Sequence, residues 1–272
     1  MYFSKEHLQW IKFNGEVLYT VNRKEIKIWD FRPTNDEKIL SSWARHFRNH
    51  YCSDDEIDSL ILGTPYSKTE YLEKIKFPDK KNPPGPSIRA GDFCEILVTD
   101  YLEYIQNFWV PRLRFSNKDV RNESTQGTDI LGFKIFDPEI ESTNDVLAIF
   151  EAKAQLVGQL KKSRLQDAID DSAKDQIRKA ESLNFLKQQF LNQKKFDLVK
   201  RIARFQNPED HPYYEFSGAA VLISTHLFDQ DQLSSSTSEN HPNCENLHLL
   251  IIRGDSLMDI VNSLYKRAAD EA

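Results

Sequence analysis

The sequence predicts an α/β fold, a mixed sheet flanked by helices, with a smaller α+β region in front of it. Three observations point there. From residue 88 onward, apolar runs of strand length alternate with longer amphipathic stretches. Residues 161–190 repeat their apolar side chains at a helical period, which sets one long helix between two groups of strands. Four prolines, Pro78, Pro83, Pro84 and Pro86, crowd the stretch 77–86 and separate two different sequence grammars.

Before that stretch, residues 16–22 and 25–31 have the β-branched and aromatic content of strands. Residues 36–48 and 54–62 read as short helices with acidic first turns, where the helix dipole favours negative charge. Proline fixes φ and removes a donor, so 77–86 is expected to hold neither helix nor central strand and to act as a linker. The domain division expected is therefore 1–87, a region to bind a partner or support the sheet, and 88–272.

After the linker, Phe93, Ile96, Leu97, Tyr101, Leu102 and Ile105 mark one broad helical face over 88–106. Strands are expected at 109–115, 129–136 and 146–152. Leu165, Ile169, Ala173, Ile177 and Ala180 define the long helix over 161–190, and 196–205 extends it as a second one. Buried strands follow at 218–225 and 247–253, joined by a loop that contains Ser234, Ser235 and Ser236, and a helix over 256–269 closes the chain. The order from residue 88 is α-β-β-β-α-β-β-α.

Composition narrows the class. The 272 residues are 39% hydrophobic and 29% charged, which is globular and large enough for a core without disulfide or zinc staples. The longest apolar runs fall far short of the roughly 20 residues a membrane span needs. The first residues show no basic start followed by an apolar stretch, so a cytoplasmic location is expected, and Cys52, Cys94 and Cys244 read as reduced packing residues. A net charge of −6 argues against a constitutive nucleic-acid coat protein. The average hides a pattern, because 153–206 carries 13 Lys and Arg against 6 Asp and Glu.

Charged residues interrupt two of the apolar strands. Gly127, Thr128 and Asp129 open the strand at 129–136, and Glu151, Ala152 and Lys153 end the one at 146–152. Charge at a buried strand end is costly unless it is paired or metal-bound. Glu151 and Lys153, two apart, project from one face, and Asp129 on a neighbouring strand would complete a cluster. Two carboxylates and the Ala152 carbonyl are hard oxygen donors of the kind Mg²⁺ or Mn²⁺ takes, and an ammonium beside them suits phosphodiester hydrolysis. Arg112 and Arg114 alternate just upstream, in reach of either substrate or an acidic core group.

Asp129 followed by Glu151-Ala152-Lys153 on consecutive strands after a helix resembles the PD-(D/E)XK (restriction-endonuclease-like) nuclease superfamily, with Thr128 standing where the motif has proline. The runs from Gly127 to Gly132 and from Phe150 to Gln155 are similar to the HamA family, the nuclease subunits of the Hachiman anti-phage defence system, over roughly residues 88–265. The resemblance implies a Mg²⁺-dependent (or Mn²⁺-dependent) deoxyribonuclease whose DNA substrate is controlled by a superfamily 2 helicase partner, HamB. It implies catalytic roles for Glu95, Asp129, Glu151 and Lys153, with Asp129, Glu151 and Glu95 on the metal. Glu103 is the rival to Glu95 on the same helix, and Gln155 continues the face of Glu151 and Lys153.

The basic stretch, including Lys161, Lys162, Arg164, Lys174 and Arg178, offers a track for phosphates or simply a solvated face. Asp167, Asp170, Asp171 and Asp175 read as pairs for those cations rather than as a metal cluster. His46 and His50 have zinc-like spacing beside Cys52, but the residue after His46 is Phe47 where a zinc peptidase needs glutamate. His211, His226, His241 and His248 read as surface or satisfied histidines. No P-loop and no Gly-x-Ser-x-Gly elbow occur. The alternatives are a nuclease-fold subunit that binds nucleic acid without cutting it, a ribonuclease, and a site-specific restriction endonuclease.

Overall fold

Val146–Gln155 (β4) carries Glu151 and Lys153, and its even and odd residues are both covered. Ala148, Phe150 and Ala152 face one core, with helices on that side, while Leu147 and Ile149 face a second core on the opposite side. A computed structural model of the chain describes residues 3–123, 127–137, 140–158 and 162–272, apart from the side chain of Gln176. Lys161, expected to open the long helix and the basic stretch, lies outside the described residues.

The elements run β1 (Ile11–Tyr19), β2 (Glu25–Phe31), α1 (Glu37–Tyr51), α2 (Ile57–Ile61), α3 (Lys68–Tyr71), α4 (Gly85–Asp100), β3 (Ile130–Lys134), β4, α5 (Arg164–Asn192), α6 (Phe196–Ala203), β5 (Tyr214–Ser224), α7 (Gln230–Ser234), β6 (Leu247–Gly254) and α8 (Leu257–Asp270). A short 3-10 helix, Glu6–Trp10, precedes β1. Among the described residues the strands form one six-stranded sheet, ordered β1-β2-β6-β5-β4-β3. β4, β5, β6 and β2 are parallel, and β3 and β1 close the two edges antiparallel. This is the α/β, restriction-endonuclease-like mixed sheet flanked by helices that the sequence predicts. No helix among the described residues is long and apolar enough to cross a membrane.

The first region does not have a sheet of its own. β2 pairs with β6 from Ile26↔Leu249 to Phe31↔Gly254, so the sheet runs across residue 87. The proline-rich stretch is also built in: Phe77 is fully buried, and Arg89 donates from Nε to the Pro78 carbonyl at 2.7 Å. Gly85 and Pro86 already belong to the first turn of α4, a place where proline costs no hydrogen bond. Gly85 is needed there, since a Cβ would stand 2.3 Å from the Asp79 carbonyl oxygen.

Three further expectations are corrected. β1 starts five residues earlier than 16–22, and a register shift between Phe13 and Val17 falls where Gly15 takes φ +84. The helix expected at 88–106 is present, α4 running on into a π-helical turn, Tyr101–Ile105. The strand expected at 109–115 is reduced to one antiparallel bridge, Trp109↔Phe133. Pro111 has no donor for a ladder, and Arg112 and Arg114 carry the chain through side-chain bonds instead. On α5, Ile177 is 84% exposed although it fits the apolar period. The buried stripe there passes through Leu165, Ile169, Ser172, Asp175, Leu183 and Leu186, so the middle of the helix turns polar groups inward.

Candidate active site

β3 and β4 pair antiparallel from Ile130↔Phe150 outward, which brings Asp129, just before β3, alongside Glu151. Asp129 is tied to the partner strand directly, its Oδ2 accepting from the Ala152 N–H at 3.1 Å. Glu151 and Lys153, on the odd face of β4, point toward α5, and their carboxylate and ammonium are in contact. Asp171 of α5 meets the same ammonium, Oδ2 to Nζ 2.7 Å. Glu95 comes from the middle of α4. These groups line one cavity of about 910 Å³, together with Arg114, Arg164 and Arg178.

Arg114 occupies the middle of the acids. Its Nε lies 2.8 Å from Glu95 Oε2, a terminal nitrogen lies 2.7 Å from Asp129 Oδ1, and the other donates to the Thr128 carbonyl at 2.7 Å. Glu103, the rival acid, is elsewhere: it pairs with Arg112. Gln155 accepts from Arg164 at 3.0 Å and donates to the Val157 carbonyl at 2.8 Å, holding the rim of the cavity.

The electrostatics show a surplus of negative charge. Burial pushes the Glu151 carboxyl up, and the charge of Asp129 adds to this, against the pull of Lys153. Glu95 is raised well above the usual range by burial and by Asp129, with Arg114 opposing. Burial works against the Lys153 charge, but Glu151 and Asp171 outweigh it and hold the ammonium protonated.

Asp175 is the residue sequence reasoning missed. Read from the sequence as a member of an i,i+4 ion pair on the long helix, it is fully buried, and neither carboxylate oxygen has a hydrogen-bond partner. Arg178 approaches only to 4.0 Å. Burial, reinforced by Asp129, pushes its carboxyl up to about 7. The available signal was the stripe Leu165, Ile169, Ser172, Asp175, in which an acid takes the inward position.

A family model described as HamA matches residues 6–268 of the chain. The chain belongs to the HamA family. It is thus a component of Hachiman defence, and the match spans both sides of residue 87, as the shared sheet does. No curated protein matches the chain.

Away from the cavity, this HamA-family chain buries a second polar cluster. His7 and His46 each place Nε2 on Asp100 Oδ2, at 2.9 and 3.0 Å, and Arg112 reaches Asp100 Oδ1 at 2.7 Å. Among the described residues, His7, His46 and Asp100 are the group whose donor atoms lie close enough for one ion. The hydrogen bonds speak against an ion. The Ser4 N–H donates to His46 Nδ1 at 3.0 Å, so the ring proton sits on Nε2, where a metal would have to bind. Burial keeps His46 and His50 on the neutral side, and Arg112 donates to His50 Nε2 at 2.8 Å. The cluster fastens the chain start, α1 and the end of α4 to Arg112.

The basic stretch divides in two. Lys162 pairs with Asp167, Lys174 with Asp171, Lys179 with Glu215, and Arg204 with buried Asp145. Arg164 and Arg178 line the cavity while also meeting acids of their own helix, Asp167 at 3.0 Å and Asp175 at 4.0 Å. Cys52, Cys94 and Cys244 are all free, the first two buried.

Proposed function

We propose that the chain is a divalent-metal-dependent deoxyribonuclease, the cytoplasmic effector of its defence complex, whose access to DNA a superfamily 2 helicase subunit of the HamB kind controls. One observation carries the reading: Glu95, Asp129, Glu151 and Lys153 come from α4, the approach to β3, and β4 to line a single cavity. The acids fit a metal chemically, being hard oxygen donors, and burial together with the charge of Asp129 raises the carboxyls of Glu95 and Glu151.

In this reading Asp129 and Glu151 hold Mg²⁺ or Mn²⁺, with Glu95 beside them. The ion supplies charge neutralisation at the scissile phosphate and a more acidic water. Lys153, held protonated between Glu151 and Asp171, acts as a donor and orients the attacking water or the phosphate oxygen. Water adds to phosphorus, the bond to the 3′ oxygen breaks, and a 5′-phosphate and a 3′-hydroxyl remain. Arg164 and Arg178 are placed to meet the flanking phosphates. With Lys162, Lys174, Lys179 and Arg204 engaged in ion pairs and a net charge of −6 on the chain, unaided DNA binding is expected to be weak, as suits a nuclease whose DNA is delivered by a partner.

The test is cleavage of supercoiled plasmid by the purified chain in Mg²⁺ and in EDTA, alone and with the helicase and ATP, with folded Asp129→Ala and Lys153→Ala controls. Metal-dependent cutting lost in both variants supports the proposal. No cutting under any condition leaves a subunit that binds nucleic acid without hydrolysing it.

A further inference from the structure

The three acids lie in one cavity, yet among the described residues they do not bring three oxygens within 4.8 Å of one another. The guanidinium of Arg114 explains the spread. It takes Glu95 Oε2 on one side and Asp129 Oδ1 on the other, and the Thr128 carbonyl fixes its plane. A guanidinium is always charged and presents a rigid fork of donors, so it can hold Asp129 by a hydrogen bond and meet Glu95 as a charge contact, where a lysine would reach one. The Nε–Oε2 approach is not aligned as a hydrogen bond.

The segment that carries Arg114 is itself anchored. Two residues earlier, Arg112 is buried against Asp100, Glu103 and His50, and Trp109 bridges to Phe133. Arg114 is therefore delivered into the acids by a strap fixed at its base and held on the sheet at Trp109.

We propose that Arg114 is the internal counter-ion of the metal-free site, that it competes with the divalent cation for Asp129 and Glu95, and that loading of the metal requires it to let go of Asp129. The inference rests on the metal-dependent reading above. The physical reason is exclusion. A monovalent and a divalent cation cannot both take Asp129 Oδ1 and Glu95 at contact distance without strong repulsion at low dielectric. The sign of a substitution then separates this role from plain support. An arginine that only orients the ligands would, when removed, loosen the metal. A competing arginine, when removed, leaves two unneutralised carboxylates and tightens it.

The experiment is calorimetric titration of the full chain with Mn²⁺, for wild type, Arg114→Gln and Arg114→Lys, with thermal unfolding in EDTA and in Mn²⁺ alongside. Arg114→Gln is expected to bind Mn²⁺ about 10-fold more tightly than wild type. It should melt lower in EDTA and gain more from Mn²⁺. Arg114→Lys, which keeps the charge but loses the fork, should fall between the two, so the order remains readable if the glutamine variant is poorly folded. Equal or weaker Mn²⁺ binding by the variants, with binding by wild type intact, overturns the role of Arg114 and leaves the metal reading standing. No Mn²⁺ binding by any of the three proteins overturns both.

Discussion

Asp171, two turns into α5, sets Oδ2 2.7 Å from Nζ of Lys153, the ammonium that also touches Glu151. The lysine is thereby held from two elements, its own strand and the helix that covers it. Asp171 is a positioning residue in this arrangement. Asp171→Asn removes the ion pair and keeps the shape. It is expected to lower kcat about 10-fold or more, with little change in KM, because the ammonium loses its fixed direction. A kcat equal to wild type, measured on a folded variant, would show that Glu151 alone positions Lys153.

The buried carboxyl of Asp175 makes stability depend on pH. It titrates from 3.8 in the open chain to about 7 in the folded protein, so the folded form binds more protons across that window. Its destabilising contribution is absent at low pH, grows as pH rises through the window, and is complete above it. Asp175→Asn is expected to leave the melting temperature in EDTA unchanged near pH 4. At about pH 8 it should gain about 2 kcal/mol, or about 4–8 °C. Melting curves at the two pH values check this; an equal shift at both would refute the titration.

Asp100 holds one arginine and two histidines in a site without solvent. Burial opposes its charge, but His46 and Arg112 outweigh it and keep the carboxyl well below the usual range. Asp100→Ala would strand the Arg112 guanidinium and cost about 3–5 kcal/mol. A fall of about 10 °C in the melting temperature is the expected reading. A variant that melts like wild type would mean Glu103 suffices for Arg112.

Gly218 sits opposite Phe150 in the parallel ladder of β4 and β5. A Cβ there would stand 2.3 Å from ring carbons Cε1 and Cζ of Phe150, and that ring is packed edge-on against Phe216. Gly218→Ala is expected to cost about 1–3 kcal/mol through forced movement of the ring. Since Glu151 follows Phe150, cleavage should fall as well, and chemical-shift mapping should place the disturbance on β4. A silent variant would show that β4 and β5 have room to separate.

While Glu95 followed from the family resemblance, the sequence by itself determined the class of fold, the positions of β2, β4, β5, β6, α5 and α8 to within a few residues, and the grouping of Asp129, Glu151 and Lys153. Those features rest on local regularities. Strand and helix periods are written in neighbouring residues, and an acid two places from a lysine at the end of an apolar run has the same face whatever surrounds it. Proline was the main source of error in the other direction, because Pro86 reads as a helix breaker although a first turn accepts it.

Only the tertiary structure decided the rest, because it depends on what distant segments place beside one another. Whether Arg112 and Arg114 form a strand or a strap was settled by Asp100, Glu95 and Asp129, from α4 and the approach to β3. The inward face of α5 was settled by where β4 ends, so that Asp175 is buried and Ile177 exposed, against the apolar period. The joining of the first region to the rest was settled by the pairing of β2 with β6, more than two hundred residues apart in the chain. Burial and ion pairing are properties of a neighbourhood, and no window of sequence contains the neighbourhood.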